Sequence, residues 1–441
     1  MLRIARLHAI EILDSRARPT LAVTLETDSG LRLRAGVPAG VSTGSREAVE
    51  LRDGDPERYD GQGVRRAVGH VNGEIAQALT GQRFSSLEEL DATLIDLDGT
   101  PDKHRLGANA LIGVSLVAAR TEAAQYDRAL WQQLAALSGA PPLLPVPHFT
   151  VVGGGGSGGR GGGGSGGGGA GLGGFREYMV APLGAAGLGD AVRAGAEIHA
   201  RLGARLAAGA DGGHTVGLGD EGGFATALSR PEDVLREMVA AITDAGYSPG
   251  RDGVAIALDP AAGGLRTEDG RYLVAGDELT SDQLIDRYEE IVDRFPVWSI
   301  EDGLAEDDWD GWERLTARLG GRVQLMGDDL FATHPAVIAE AIGRNVANSA
   351  LIKVSQIGTV TETMAAIGVC RGAGYRQMVS HRSGETDDSF IADLAVGAGC
   401  GQLKSGGPAR GEHVAKYNRL LEIADARPEL PFGLSVPAEG D

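Results

Sequence analysis

Six polar residues in the second part of the chain each close a short apolar run. Asp259 ends VAIALD, Glu301 ends VWSIE, Asp328 ends VQLMGD, Lys353 ends ALIK, His381 follows QMVS and Lys404 ends QLK. One polar residue at the end of a strand is usually a turn residue, but six in series point to a shared site. Three carboxylates drawn together repel one another unless a cation joins them, and an oxygen-only donor set suits a hard divalent ion such as Mg²⁺. Lys353 follows an apolar segment that would partly desolvate it. Burial and a neighbouring metal charge both lower an ammonium's pKa, which moves this lysine towards use as a base near neutral pH. Arg382 and Ser383, in SHRSGET, add a planar fork and a hydroxyl for a carboxylate or phosphate, and Lys404 adds a further anion contact. Glu221 lies in the Gly-flanked turn GDEGGF, and Glu177 opens the apolar stretch EYMVAPL. The set suits removal of a proton beside a carboxylate, followed by departure of hydroxide with an acid's help.

These residues need a frame that brings them together. Gaps of roughly 25 to 40 residues separate the six, the length of one strand plus one helix. Helical patterns such as LSRPEDVLREMVAAITDAG and TSDQLIDRYEEIVDRF lie between several of the runs. Strand–helix alternation over almost 300 residues predicts parallel βα units closed into a barrel, with the strand ends converging on one mouth. The earlier part reads differently. LAVTLETDSGLRLRAGVP alternates about Asp28–Gly30 as a hairpin does, and helical periods follow in RRAVGHVNGEIAQAL, SLEELDATLIDL and NALIGVSLVAARTEAAQYDRALWQQLAAL. The expected fold is therefore α/β: an amino-terminal α+β lid domain over residues 1–139 and a (βα)8-type barrel over 140–441, with APPLLPVP as connector and a Gly-rich loop at 153–174.

Bulk properties agree with this reading. The chain has 441 residues and a net charge of −20, with no basic footprint for nucleic acid. No stretch approaches the roughly 18 apolar residues of a membrane span. Two cysteines, Cys370 and Cys400, are too few for a disulfide framework. The start of the chain has no secretory h-region, so a cytoplasmic protein is expected.

Longer motifs narrow the class. EILDSR, VPAGVSTGSREAVELRDGD, GDEGGF, SIEDGLAEDDW, GDDLFATHP, LIKVSQIGT, SHRSGETDDSFIADLAVG and AKYNRLL are spread over the whole chain, which resembles the enolase (phosphopyruvate hydratase) family. A lysine or histidine base working with one or two Mg²⁺ ions is a known property of that superfamily. The resemblance implies a modified barrel, a homodimer or higher homo-oligomer, two Mg²⁺ per active site, and dehydration of 2-phosphoglycerate to phosphoenolpyruvate in glycolysis. By motif, it makes Lys353 the base at C2 and Glu221 the acid, with Glu177 beside it. Asp259, Glu301 and Asp328 become ligands of the tighter metal, and Ser42 joins the second. Arg382, Ser383 and Lys404 contact the substrate, and His381 lines the pocket.

The chain departs from the family pattern in places. Enolases usually carry an Asn-Gly-Gly and a His-Ala pair running into Gln-Glu-Phe, where this chain has the Gly/Ser run from Gly153 to Gly174 and then Arg176 before Glu177. Gly303 replaces a proline, Ser355 replaces an asparagine, DSRARPT replaces DSRGNPT, and DPAAGG lacks the usual Ser-Glu-Phe end. A drifting surface loop would account for the glycines. Alternatively, Arg160 and Arg176 add cationic reach for a further anionic group, as in an enolase-like relative of phosphonate pathways, carboxyphosphonoenolpyruvate synthase. That enzyme takes 2-phosphoglycerate and a nucleotide-activated phosphonoformyl donor. A third reading is a catalytically silent scaffold with the same fold.

Overall fold

A computed structural model describes residues 2–40, 44–153, 174–209 and 217–434. Ser42, Arg160 and nearly all of the Gly-rich stretch expected at 153–174 lie outside them.

The amino-terminal part is built on four antiparallel strands, β1 (Leu2–Leu13), β2 (Pro19–Thr27), β3 (Arg32–Gly36) and β4 (Arg83–Phe84), in the order β3-β2-β1-β4. The expected hairpin joins β2 to β3, and Gly30 turns the chain at φ +83°, a left-handed position that glycine adopts without a Cβ clash. The helix Ala108–Gln125 is apolar and buried on nearly every side, as a core helix must be. Gly113 lets it approach the sheet closely, because a Cβ there would stand 2.7 Å from a Val23 methyl. The long helical pattern that begins at Asn109 is broken into two helices, Ala108–Gln125 and Leu130–Ser138, where Asp127 takes φ +53°.

The rest closes into a barrel. Its strands are β5 (Val146–Gly153), β6 (Glu177–Ala181), β7 (Ala255–Asp259), β10 (Val297–Glu301), β11 (Gln324–Gly327), β12 (Ser349–Ile352), β13 (Arg376–Ser380) and β14 (Gln402–Lys404). The ring runs β10-β11-β12-β13-β14-β5-β6-β7, and the small hairpin β8 (Tyr272–Val274) and β9 (Asp277–Leu279) forms a separate sheet.

Two features correct the sequence reading. The first barrel strand, β5, shares Val146 and Pro147 with the proline-rich connector, so its apolar run does not stand out in the sequence. The barrel is also not uniformly parallel, since β6 pairs antiparallel with both β5 and β7. Among the described residues no helix separates β5 from β6, and their antiparallel register means that the chain reverses between them. Two helices, Leu188–Gly209 and Pro231–Asp244, then follow β6, and β7 pairs antiparallel with it and so returns to the common direction. No helix among the described residues is long and apolar enough to cross a membrane.

Candidate active site

The reversal of β6 explains how Glu177 reaches the site. It is the first residue of its strand, yet its register partner is Asp259, the last residue of β7. Both therefore lie at the mouth where the other strands end. Lys404, the last residue of β14, gathers carboxylates there. Its Nζ donates to Asp259 Oδ2 at 3.0 Å and to Glu301 at 2.8 and 2.9 Å, and lies 3.5 Å from Glu177 Oε2. Lys353, just past β12, places its Nζ 2.5 Å from Asp328 Oδ2, and Gln356 Nε2 donates to the other Asp328 oxygen at 2.9 Å. Asp302 accepts from the backbone N–H groups of Asp328 and Asp329, both at 2.9 Å. Oxygens of Asp302, Asp328 and Asp329 all lie within 4.8 Å of one another.

An acid pair stands beside this group. Glu221 occupies the expected turn, with Gly222 at φ +83°, and its carboxylate shares a hydrogen bond with Glu177. Thr150 Oγ1 donates to Glu177 Oε2 at 3.1 Å, and His381 Nε2 lies 3.7 Å from Glu221 Oε2. On the cationic side, Arg176 is about one-third exposed (34%), donates to Ser383 Oγ at 3.2 Å and lies 4.0 Å from Glu177. Arg382 is buried and donates to Glu47 at 2.8 Å and to Ser355 Oγ at 3.1 Å. Gly40 leaves room for this guanidinium, which a Cβ at that position would strike.

Charge sets the protonation of these groups. Burial, then the charge of Glu221, raises the Glu177 carboxyl above its ordinary range. Burial also works to raise Glu221, but Arg176 and the Glu177 hydrogen bond outweigh it and hold Glu221 low. The two shifts run in opposite directions, so Glu177 holds a proton more tightly than Glu221 does. Burial favours the neutral form of Lys404, but Asp259, Glu177 and Glu301 together raise it well above its usual value. Lys353 differs from the sequence expectation: burial pulls it down, yet the Asp328 carboxylate more than compensates, and its pKa is raised. Asp328 is correspondingly held at about 2 by Lys353, against the effect of burial.

The acids at the mouth suit a Mg²⁺ ion, but among the described residues the group whose oxygens lie within 4.8 Å of one another is Asp302, Asp328 and Asp329 rather than the expected Asp259, Glu301 and Asp328. Asp259, Glu301 and Asp328 are buried, oxygen-only groups at the mouth. Burial and then the Asp259 charge push Glu301 well up, while burial followed by Asp329 and Asp328 does the same to Asp302. Buried acids that raise one another are what a divalent cation relieves.

The structure also adds residues that the sequence reading did not single out. Glu47, Asp302, Asp329 and Gln356 lie within quoted motifs, but only their contacts reveal a role.

A closed α/β barrel whose mouth holds two lysines, an acid pair and clustered carboxylates defines an enzyme of the acid–base type. Residues 4–134 match the family model "Enolase, N-terminal domain" and residues 142–430 match "Enolase, C-terminal TIM barrel domain". The chain is 48% identical over 430 residues to the enolase of Rubrobacter xylanophilus, covering 97% of this chain and 95% of that one. It is 48% identical over 425 residues to the enolase of Acidothermus cellulolyticus, covering 96% and 94%. It is 47% identical over 425 residues to Enolase 2 of Pseudomonas syringae pv. syringae, covering 96% of each. The chain belongs to the enolase family.

Proposed function

We propose that this protein is a carbon–oxygen lyase that dehydrates 2-phosphoglycerate to phosphoenolpyruvate and water. The observation that carries this reading is a single mouth holding a lysine, Lys353, and a separate hydrogen-bonded acid pair, Glu177 and Glu221. Lys353 takes the C2 proton, the C–H electrons form the new double bond, and the C3–O bond breaks. The acid pair gives one proton to the departing hydroxide: Glu221 delivers it, and Glu177, whose carboxyl is raised, holds it beforehand. Lys353 acts as a base only once Asp328 is engaged elsewhere, because burial then favours the free amine. Arg382, Ser383, Lys404 and Arg176 hold the phosphate and carboxylate, and His381 lines the same pocket. Asp259, Glu301 and Asp328 would hold a Mg²⁺, with Ser42 joining a second, and the bound ions supply positive charge against the substrate's carboxylate.

The same reading places the protein in the cytoplasm, in glycolysis, as a homodimer or larger homo-oligomer. Cys370 and Cys400 are buried and unpaired, in keeping with a reducing compartment. Ile10 and Leu13 of β1 are 48% and 56% exposed, apolar surface suited to a second copy. The division at 139/140 falls between the two matched family regions, which end at 134 and begin at 142. Nothing favours the phosphonate-pathway or scaffold readings. The relatives above carry the name enolase, and both the base and the acid pair are present.

The test is direct. Purified protein with Mg²⁺ and 2-phosphoglycerate is followed by enolpyruvate absorbance. Turnover with these two alone is expected; activity that requires a nucleotide-activated phosphonate, or none with either, overturns the reading.

A further inference from the structure

A carboxylate from the amino-terminal part of the chain reaches the mouth of the barrel. Glu47 is buried, and its Oε2 accepts from Arg382 Nη2 at 2.8 Å, across 335 residues of sequence. Its other oxygen, Oε1, accepts from Gly44 N at 3.2 Å and from Gln356 Nε2 at 3.3 Å. Gln356 is fully buried; it also donates to Asp328 Oδ1 at 2.9 Å and accepts from Thr333 Oγ1 at 2.7 Å. The backbone beside Glu47 is anchored as well, because Ala48 N donates to the Gln356 carbonyl oxygen at 2.8 Å. Both oxygens of Glu47 are therefore engaged from fixed directions, and a satisfied buried network of this kind holds a side chain in place.

Arg382 is the group this carboxylate aims. An arginine carries five N–H donors in a planar fork. Glu47 takes one from Nη2 and Ser355 Oγ takes one from Nη1 at 3.1 Å, and among the described residues no other group accepts from the guanidinium. The Nε–H and a second N–H on each Nη stay available to an anion. Burial works to lower the Arg382 pKa, but the Glu47 and then the Glu50 charge raise it, so the group stays cationic. We propose that Glu47 is a positioning residue: it holds Arg382 in the orientation that receives the substrate phosphate, so that the amino-terminal part sets substrate affinity in the barrel. This rests on the lyase reading above. The main chain of Arg382 is held separately, its N–H donating to Glu385 Oε1 at 3.0 Å, so losing Glu47 frees the side chain alone.

The physical gain is pre-ordering. Freezing a long, flexible side chain on binding costs affinity that an already ordered one does not lose. A contact kept equally in the bound substrate and the transition state changes KM and leaves kcat alone. A merely structural residue would move the melting temperature without that selectivity. Another ion pair between the same two parts provides the comparison: Lys103 Nζ donates to Glu362 Oε1 at 2.8 Å, and neither residue bonds to Arg382.

The experiment measures kcat and KM for 2-phosphoglycerate, melting temperature, and calorimetric affinity for inorganic phosphate in Mg²⁺-loaded wild type, E47Q, E47D and K103M. In E47Q one oxygen becomes an N–H that faces Arg382 or Gln356, both donors, so the guanidinium loses its hold. KM and the phosphate Kd are both expected to rise about tenfold, with kcat within about twofold of wild type. E47D keeps the charge on a shorter stem and is expected to recover part of the loss, its KM about threefold above wild type. K103M is expected to melt lower with KM unchanged. A wild-type or lower KM in E47Q, a fall in kcat at unchanged KM, or an equal rise of KM in K103M overturns the assignment. If E47Q does not fold, E47D decides by the same readouts. A wild type whose phosphate affinity depends on Glu47 but that forms no phosphoenolpyruvate overturns the lyase reading alone. An active wild type whose KM ignores Glu47 overturns the assignment alone, and one that neither turns over nor binds phosphate overturns both.

Discussion

Lys353 and Glu221 are separate groups in one mouth, so the two halves of the reaction can be dissected residue by residue. K353M is expected to abolish both C2 exchange and dehydration, by at least about a hundredfold, the scale of a lost general base. E221Q is expected to keep exchange and lose dehydration to a similar degree. Isotope exchange followed by mass spectrometry separates the two outcomes, and equal loss in both variants would assign the roles wrongly. Arg176 offers a different test. Its bond to Ser383 and its 4.0 Å separation from Glu177 place it at the pocket wall. If it holds an anionic group of the substrate, R176Q raises KM about tenfold, the scale of one charge-assisted hydrogen bond. An unchanged KM would show that it only tunes the acid pair.

At the level of elements, one of the helix–helix contacts between the two parts of the molecule depends on pH. Asp91, in the helix Leu87–Asp98, accepts from Thr361 N at 3.0 Å and Thr361 Oγ1 at 2.6 Å, at the start of the helix Val360–Gly372. Burial raises its carboxyl from 3.8 to about 6, with the Thr361 and Ser115 hydrogen bonds opposing that shift. The folded state therefore keeps a proton that the unfolded chain releases at lower pH. The stability it contributes is complete below 3.8 and is lost as pH rises through about 6. D91N is expected to remove that loss, about 2–3 kcal/mol on this scale, seen as a narrowing stability gap between variant and wild type as pH falls. A gap that does not change with pH would refute it.

What the sequence reveals about these elements follows from what a pattern can encode. Apolar runs and the residues that close them are local, so seven of the strands and the six mouth residues were legible. Strand direction is not local: EYMVAPL reads the same whichever way β6 runs. That is why the antiparallel pairing of Glu177 with Asp259 needed the structure. β5 merged with its prolines for the same reason. Glu47 is remote in sequence from its partner Arg382, and Asp302 and Asp329 follow more conspicuous neighbours in their motifs, so only contacts separate them.

For the molecule as a whole, the clustered acids couple stability to the metal. The protein carries a net charge of −20, and its mouth concentrates Asp259, Glu301, Asp302, Asp328 and Asp329. A ligand that binds only the folded state stabilises it by about 2.7 kcal/mol at a hundred times its Kd. Mg²⁺ is therefore expected to raise the melting temperature and a chelator to reverse both that rise and turnover. D328N is expected to lose most of the thermal response, and a chelator-insensitive melting curve would count against a resident ion. One consequence reaches beyond catalysis. The rung pairing Gly153 with Glu177 fixes the reversal of β6 at the mouth. Gly153 sits at φ +84°, and a Cβ there would strike the Arg176 carbonyl oxygen. G153A is therefore expected to break that rung and lower the melting temperature, whatever it does to turnover, and an unchanged melting curve would refute it.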